Sequence, residues 1–175
     1  MTFQKPRAKP QSRVPSQSES PATIRLVISA EPRLLHIMRE VVRYYAREAG
    51  FPESEVYRLA LAVDEAVTNV IRHTYGNRPD GRLALEVHNL LDRLEFVIED
   101  TGPKVRSDAI RPRALDEVRP GGLGSFFIKS FTDCCFYDEA YTEGNRLRLV
   151  KFKEQNDDLD QAGDPSSREH RTCHD

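Results

Sequence analysis

Residues 64–73 read Asp-Glu-Ala-Val-Thr-Asn-Val-Ile-Arg-His and form the second half of a long predicted helix that continues to about His73. Glu65, Asn69 and His73 are spaced i, i+4 and i+8, so they share one helical face. On spacing alone, that face is a solvated polar surface. The apolar residues of the helix recur at helical spacing on nearly the opposite face and predict the buried side: Val56, Leu59, Ala60, Val63, Val67 and Val70.

Two glycine-containing segments follow this helix in the chain. Glu99-Asp100-Thr101-Gly102 places an acid at the end of a predicted strand and a glycine where the backbone turns or approaches another group. Gly121-Gly122-Leu123-Gly124 immediately precedes a helix, and free N–H groups at the positive end of a helix favour phosphate. Each segment alone also fits an ordinary turn or loop. The loop of about twenty residues between them is long for a compact domain, which predicts a lid.

The hydropathy pattern around these segments predicts the fold class. Alternating residues indicate strands, and apolar residues three or four apart indicate helices. The resulting order is strand, two helices, hairpin, long loop, helix and two strands, which predicts an α+β two-layer sandwich with a mixed sheet and helices on one face. The predicted strands are 23–28, 83–87, 94–98, 134–137 and 146–152, and the predicted helices begin near Pro32, Ser54 and Ser125.

Composition divides the chain of 175 residues into a folded domain and two tails. Residues 1–21 are rich in proline and serine and predict a disordered leader, while residues 154–175 predict a disordered acidic tail. The domain between them, 22–153, carries equal numbers of basic and acidic side chains, which argues against direct nucleic-acid binding, although the basic leader keeps that alternative open. No apolar run is long enough to cross a bilayer, so we expect a cytoplasmic protein without a membrane partner.

Taken together, these segments resemble the GHKL ATPases, and the resemblance covers about residues 22–153. Residues 65–69 are similar to the N-box of that superfamily, Asp100-x-Gly102 to its first glycine box, Gly122-Leu123-Gly124 to its second, and residues 144–149 to its closing strand. Within the superfamily, the short chain and the sequence of residues 64–69 look most like the bacterial anti-sigma factor serine/threonine kinases. The resemblance implies the Bergerat ATP-binding fold.

The resemblance also implies a role for each matching residue. Asp100 would accept a hydrogen bond from the adenine amine. Asn69 would bind Mg²⁺ through its side-chain carbonyl, and Glu65 would be the catalytic base that takes the proton of a serine hydroxyl. The remaining nucleotide-binding residues are Gly102, Gly122, Leu123 and Gly124, with phosphate charge neutralised by one of the lid arginines Arg106, Arg111, Arg113 or Arg119. His73 is read as a structural histidine near the helix end.

The implied function is that of an anti-sigma factor. Such a protein would use ATP and Mg²⁺ to phosphorylate an anti-anti-sigma protein of the STAS type, and would sequester a sigma factor when that antagonist is absent; a homodimer is implied as well. The alternative is a non-catalytic nucleotide-binding module that sequesters a transcription regulator. Two departures from the family pattern keep this alternative open. Asn145 stands where the family usually has a small hydroxyl residue, which predicts a weaker contact beside adenine, and the lid, which is short for that family, contains Pro112 and Pro120.

Overall fold

The computed structural model of the protein describes residues 24–105 and 123–154. The leader 1–21, Gly122, the lid arginines and prolines and nearly all of the acidic tail lie outside these ranges. Within them the chain forms strands β1 (Ile24–Ser29), β2 (Arg82–Asn89), β3 (Arg93–Asp100), β4 (Cys134–Tyr137) and β5 (Asn145–Phe152), and helices α1 (Leu35–Glu48), α2 (Glu53–Asn69) and α3 (Leu123–Phe131). A short 3₁₀ turn, Pro32–Leu34, precedes α1, and a π turn, Val70–Thr74, follows α2.

The described strands form one sheet in the order β1-β2-β3-β5-β4, and every neighbouring pair is antiparallel. The predicted α+β sandwich is confirmed, but the prediction of a mixed sheet is wrong. β3 and β4 do run in the same direction, as is usual for two strands that are connected through a helix. They are not neighbours, because β5 turns back from β4 and is inserted between them.

The core lies between this sheet and the helices. The inner face of the sheet carries the alternating residues of each strand, and Phe96, Ile98 and Leu149 are almost fully buried there. Helix α1 contributes Met38 and Val42 from the opposite layer. Burying each of the larger side chains stabilises the fold by about 1.5–3 kcal/mol, so the packing of α1 and α2 on the sheet fixes where α2 ends.

The opposite face of the sheet is held by ion pairs across the strands. Arg25 of β1 pairs with Glu99 of β3 at 2.8 Å, and Arg146 of β5 pairs with the same carboxylate at 2.7 Å. Glu99 therefore joins three strands beside the last residue of β3, although it is 5% exposed. Two cations on one buried carboxylate satisfy its charge, and the pairs hold together the ends of the strands at which β3 finishes and β5 begins.

Helix α2 changes its winding near its end. The sequence predicts a continuous helix to about His73, but the α-helix ends at Asn69, and the Tyr75 N–H donates to the Val70 carbonyl at 3.2 Å, five residues back. Asn77, at φ 63°, then turns the chain away from the helix. Wide turns of this kind are rare and are frequently found at functional sites. None of the helices within 24–105 and 123–154 combines the length and the apolar character needed to span a membrane.

Candidate functional site

Asp100, the last residue of β3, is the acid that the sequence places beside a glycine. Its side chain is buried, and its Oδ1 accepts hydrogen bonds from the Gly102 N–H at 2.8 Å and from Nδ2 of Asn145 at 3.0 Å. Burial raises the pKa of Asp100, and these two hydrogen bonds act in the opposite direction. Both bonds end on Oδ1, so Oδ2 accepts none from the described residues and is the oxygen left for a ligand.

The loop after β3 lies directly on the π turn that follows α2. A Cβ added to Gly102 would overlap the Thr74 methyl group, so only glycine allows this approach. The Tyr75 hydroxyl accepts a hydrogen bond from the Thr101 N–H at 3.0 Å and donates one to the Arg82 carbonyl at 2.6 Å. The end of β3 is therefore attached to the end of α2 by a contact and by hydrogen bonds.

Glu65 lies against the first turn of α3. A Cβ built on Gly124 would overlap the Glu65 carboxylate, and Gly124 is itself buried at this contact. The N–H groups at the start of a helix carry a partial positive charge and attract anions. Gly124 thus brings the half-buried Glu65 carboxylate to the N-terminus of α3.

Helix α2 connects these two regions. Glu65 and Thr74 are nine residues apart, which corresponds to roughly 13 Å along a helix at 1.5 Å per residue. Asn69 lies between them, one turn after Glu65, as the half-buried last residue of α2. The structure therefore places Gly102, two residues after Asp100, against one end of this segment and Gly124 against the other, and Asn69 lies between these ends along the helix.

The other predicted residues have different positions. Leu123 begins α3, and its backbone precedes the Gly124 contact. His73 is exposed on the π turn, so it does not continue the face of Glu65 and Asn69. Gly122 and the arginines Arg106, Arg111, Arg113 and Arg119 lie outside the described residues, so their predicted contacts remain predictions.

The sequence identified Asn145 only as a departure that weakens a contact beside adenine, and did not predict the hydrogen bonds that this side chain makes. This residue is 2% exposed, and besides donating to Asp100 it donates to the Pro103 carbonyl at 2.9 Å and accepts from the Val105 N–H at 2.7 Å. The preceding Gly144 has φ +144°, and a Cβ there would overlap the Asp100 carbonyl. The one signal in the sequence was a polar residue directly after a glycine at the start of a strand.

Comparison with known proteins agrees with this arrangement. Residues 28–151 match the family described as histidine kinase-like ATPase domain. The serine-protein kinase RsbW of Halalkalibacterium halodurans is 29% identical over 148 residues, which cover 80% of this chain and 88% of the relative. RsbW of Listeria innocua is 32% identical over 127 residues, covering 67% and 81%. RsbW of Bacillus subtilis is 26% identical over 118 residues, covering 63% and 74%.

Proposed function

The chain belongs to the histidine kinase-like ATPase family, and we propose that it is an anti-sigma regulatory factor with serine kinase activity. It would transfer the γ-phosphate of ATP to a serine of an anti-anti-sigma protein of the STAS type, and would sequester a sigma factor when that antagonist is absent. The names of its relatives as serine-protein kinases support the reaction. The observation that carries the proposal is the contact of the Glu65 carboxylate with Gly124 at the start of α3.

Asp100 would read the base of the nucleotide. Its Oδ2 is an acceptor, and adenine presents an N–H donor from its exocyclic amine where guanine presents an oxygen. The two hydrogen bonds on Oδ1 hold the carboxylate so that Oδ2 keeps one direction. Gly102 would contribute to this end of the site by letting the turn after Asp100 pack on Thr74, because a Cβ there would overlap the Thr74 methyl group.

Glu65 would act as the general base at the other end of the site. In the proposed step the serine Oγ attacks the γ-phosphorus, the bond between that phosphorus and the bridging oxygen breaks, ADP leaves, and the carboxylate takes the hydroxyl proton. The N-terminus of α3, with Gly124 and the backbone of Leu123, would bind the phosphates. Gly122 and one of the lid arginines Arg106, Arg111, Arg113 and Arg119 would complete this part.

Asn69 fits the needs of a magnesium ion. Mg²⁺ prefers oxygen ligands and keeps several waters, so one carboxamide oxygen together with phosphate oxygens suffices. Asn69 lies one helical turn from Glu65 and ends α2, and its side-chain oxygen would be the protein ligand of the ion. The ion would supply neutralisation of phosphate charge.

We also propose that the protein is cytoplasmic, because ATP and the regulators of transcription are found in that compartment. We further propose that it forms a homodimer. β1 is at the edge of the sheet, and the exposed Ile37 and Tyr44 of α1 are available for a second copy. Sedimentation of the purified protein tests the dimer.

The kinase proposal is tested with Glu65→Gln. This change keeps the size of the side chain and removes its basicity, so we expect phosphotransfer from ATP to the cognate antagonist to fall by at least about 100-fold, as is typical for loss of a general base, while ADP binding stays within about threefold. Glu53→Gln, in the exposed first turn of the same helix, is the matched control and should transfer normally. Undiminished transfer by Glu65→Gln would refute the base. ATP binding without transfer by the unmodified protein would establish the non-catalytic module instead.

A further inference from the structure

Asn145 connects Asp100 to the backbone segment that follows it. Its Nδ2 donates to Oδ1 of Asp100 and to the Pro103 carbonyl, and its Oδ1 accepts from the Val105 N–H. A carboxamide has two N–H donors and one carbonyl oxygen, so both donors and the acceptor are engaged. Because the side chain is buried, no water is available to replace a lost partner, and its orientation is fixed.

The fold places Asn145 where it must act on both groups. It is the register partner of Asp100 at the start of β5. The segment after Asp100 is held a second time, since the Lys104 ammonium donates to the Tyr141 carbonyl. Residues 103–105 are therefore attached to the β4–β5 side of the sheet at both points, and only the attachment through Asn145 also touches the Asp100 carboxylate.

We propose that Asn145 is a positioning residue that couples the binding of a nucleotide at Asp100 to the backbone conformation of residues 103–105. The inference rests on the proposed function in one respect, which is that a base amine bonds to Oδ2 of Asp100. That bond adds a further restraint on the torsion of the carboxylate, so the hydrogen bond from the Asn145 amide to Oδ1 is broken less often, and the amide in turn holds Val105 more of the time. By linkage, an ordered segment at 103–105 favours nucleotide binding to the same extent.

A threonine at this position separates the two roles. Its hydroxyl donates one hydrogen bond, so it can still bond to Asp100. Its side chain is too short to reach the Pro103 carbonyl and the Val105 N–H as well. Asn145→Thr should therefore keep the carboxylate in place and release residues 103–105, whereas Asn145→Ala should lose both.

The experiment measures ADP affinity by calorimetry and exchange of the Val105 amide by NMR, with and without ADP. In the unmodified protein ADP should slow this exchange at least about fivefold, the lower end of typical coupling between sites. Asn145→Thr should bind ADP about fivefold more weakly than the unmodified protein, which is the coupling that its loss removes, while its Val105 exchange is about tenfold faster and independent of ADP. Thr132→Val is the control: it removes a buried hydroxyl that donates to the Ile128 carbonyl at 2.7 Å, and should leave Val105 unaffected.

Three results would overturn the proposal. These are Val105 exchange in the unmodified protein that does not respond to ADP, a response in Asn145→Thr equal to that of the unmodified protein, and an effect of Thr132→Val as large as that of Asn145→Thr. Failure of the kinase proposal is distinguishable, because a protein that binds ADP and transfers no phosphate still gives the Val105 readout. If Asn145→Ala does not fold, Asn145→Thr alone decides the result.

Discussion

Replacing Asp100 by asparagine tests the base-reading end of the site. The change keeps the shape of the side chain and its Oδ1, which can still accept from the Gly102 N–H and from Asn145. It replaces Oδ2 by an amide that donates, so two donors face each other when adenine binds. Loss of a hydrogen bond to a charged acceptor costs about 2–3 kcal/mol, which corresponds to roughly 30- to 150-fold in Kd.

Calorimetry with ADP measures this loss without interference from turnover, and GDP is the control ligand. We expect the preference for ADP over GDP to collapse in Asp100→Asn, because an amide donor suits the guanine oxygen. The fold should not suffer. Burial raises the pKa of Asp100, so the ionised carboxylate opposes folding, and the stability of the unmodified protein decreases as pH rises through that pKa. ADP affinity within about threefold of the unmodified protein would refute the role of Asp100.

Three further predictions concern the same site. Acidification should weaken ADP binding by up to about tenfold per pH unit below the raised pKa of Asp100, since the protonated carboxyl no longer offers Oδ2 as an acceptor. Calorimetry of Asp100→Asn should show an ADP affinity that does not change with pH. Gly124→Ala should reduce phosphotransfer at least about tenfold, because its Cβ displaces the Glu65 carboxylate, and a normal rate would contradict that contact. Gly144→Ala should lower the free energy of unfolding in urea by about 1–3 kcal/mol, because φ is +144° and its Cβ meets the Asp100 carbonyl; an unchanged midpoint would be inconsistent with this packing.

Much of the architecture was predictable, because the apolar residues that recur with the period of a strand or a helix are the residues that the fold buries. The alternation of Leu94, Phe96 and Ile98 predicts β3, and all three are buried. The strand directions were not predictable in the same way. The local sequence pattern predicts that β3 is followed by α3 and then by β4. The insertion of β5 between β3 and β4, however, depends on packing across the whole sheet.

The candidate site was predictable in its residue types and only in part in its contacts. Spacing places Glu65 and Asn69 on one helical face, and the predicted elements place Asp100 and Gly124 at their ends, but their assignment to one site came from the resemblance to the GHKL ATPases. The side chains that hold them were not predictable. Asn145 and Tyr75 act through hydrogen bonds to residues 26 to 45 positions away, and no local pattern distinguishes such a buried polar side chain from an exposed one.

The π turn at Val70–Thr74 resets the helical phase within this region of the chain. One extra residue in a turn rotates everything after it by about 100° relative to a regular helix. A chimera that receives α2 from a relative with a regular helix end would keep Glu65 and Asn69 in phase if the junction lies before Val70. If the junction instead lies after Thr74, the regular helix end would rotate Tyr75 out of the protein interior, unless one residue is added to the grafted segment to compensate.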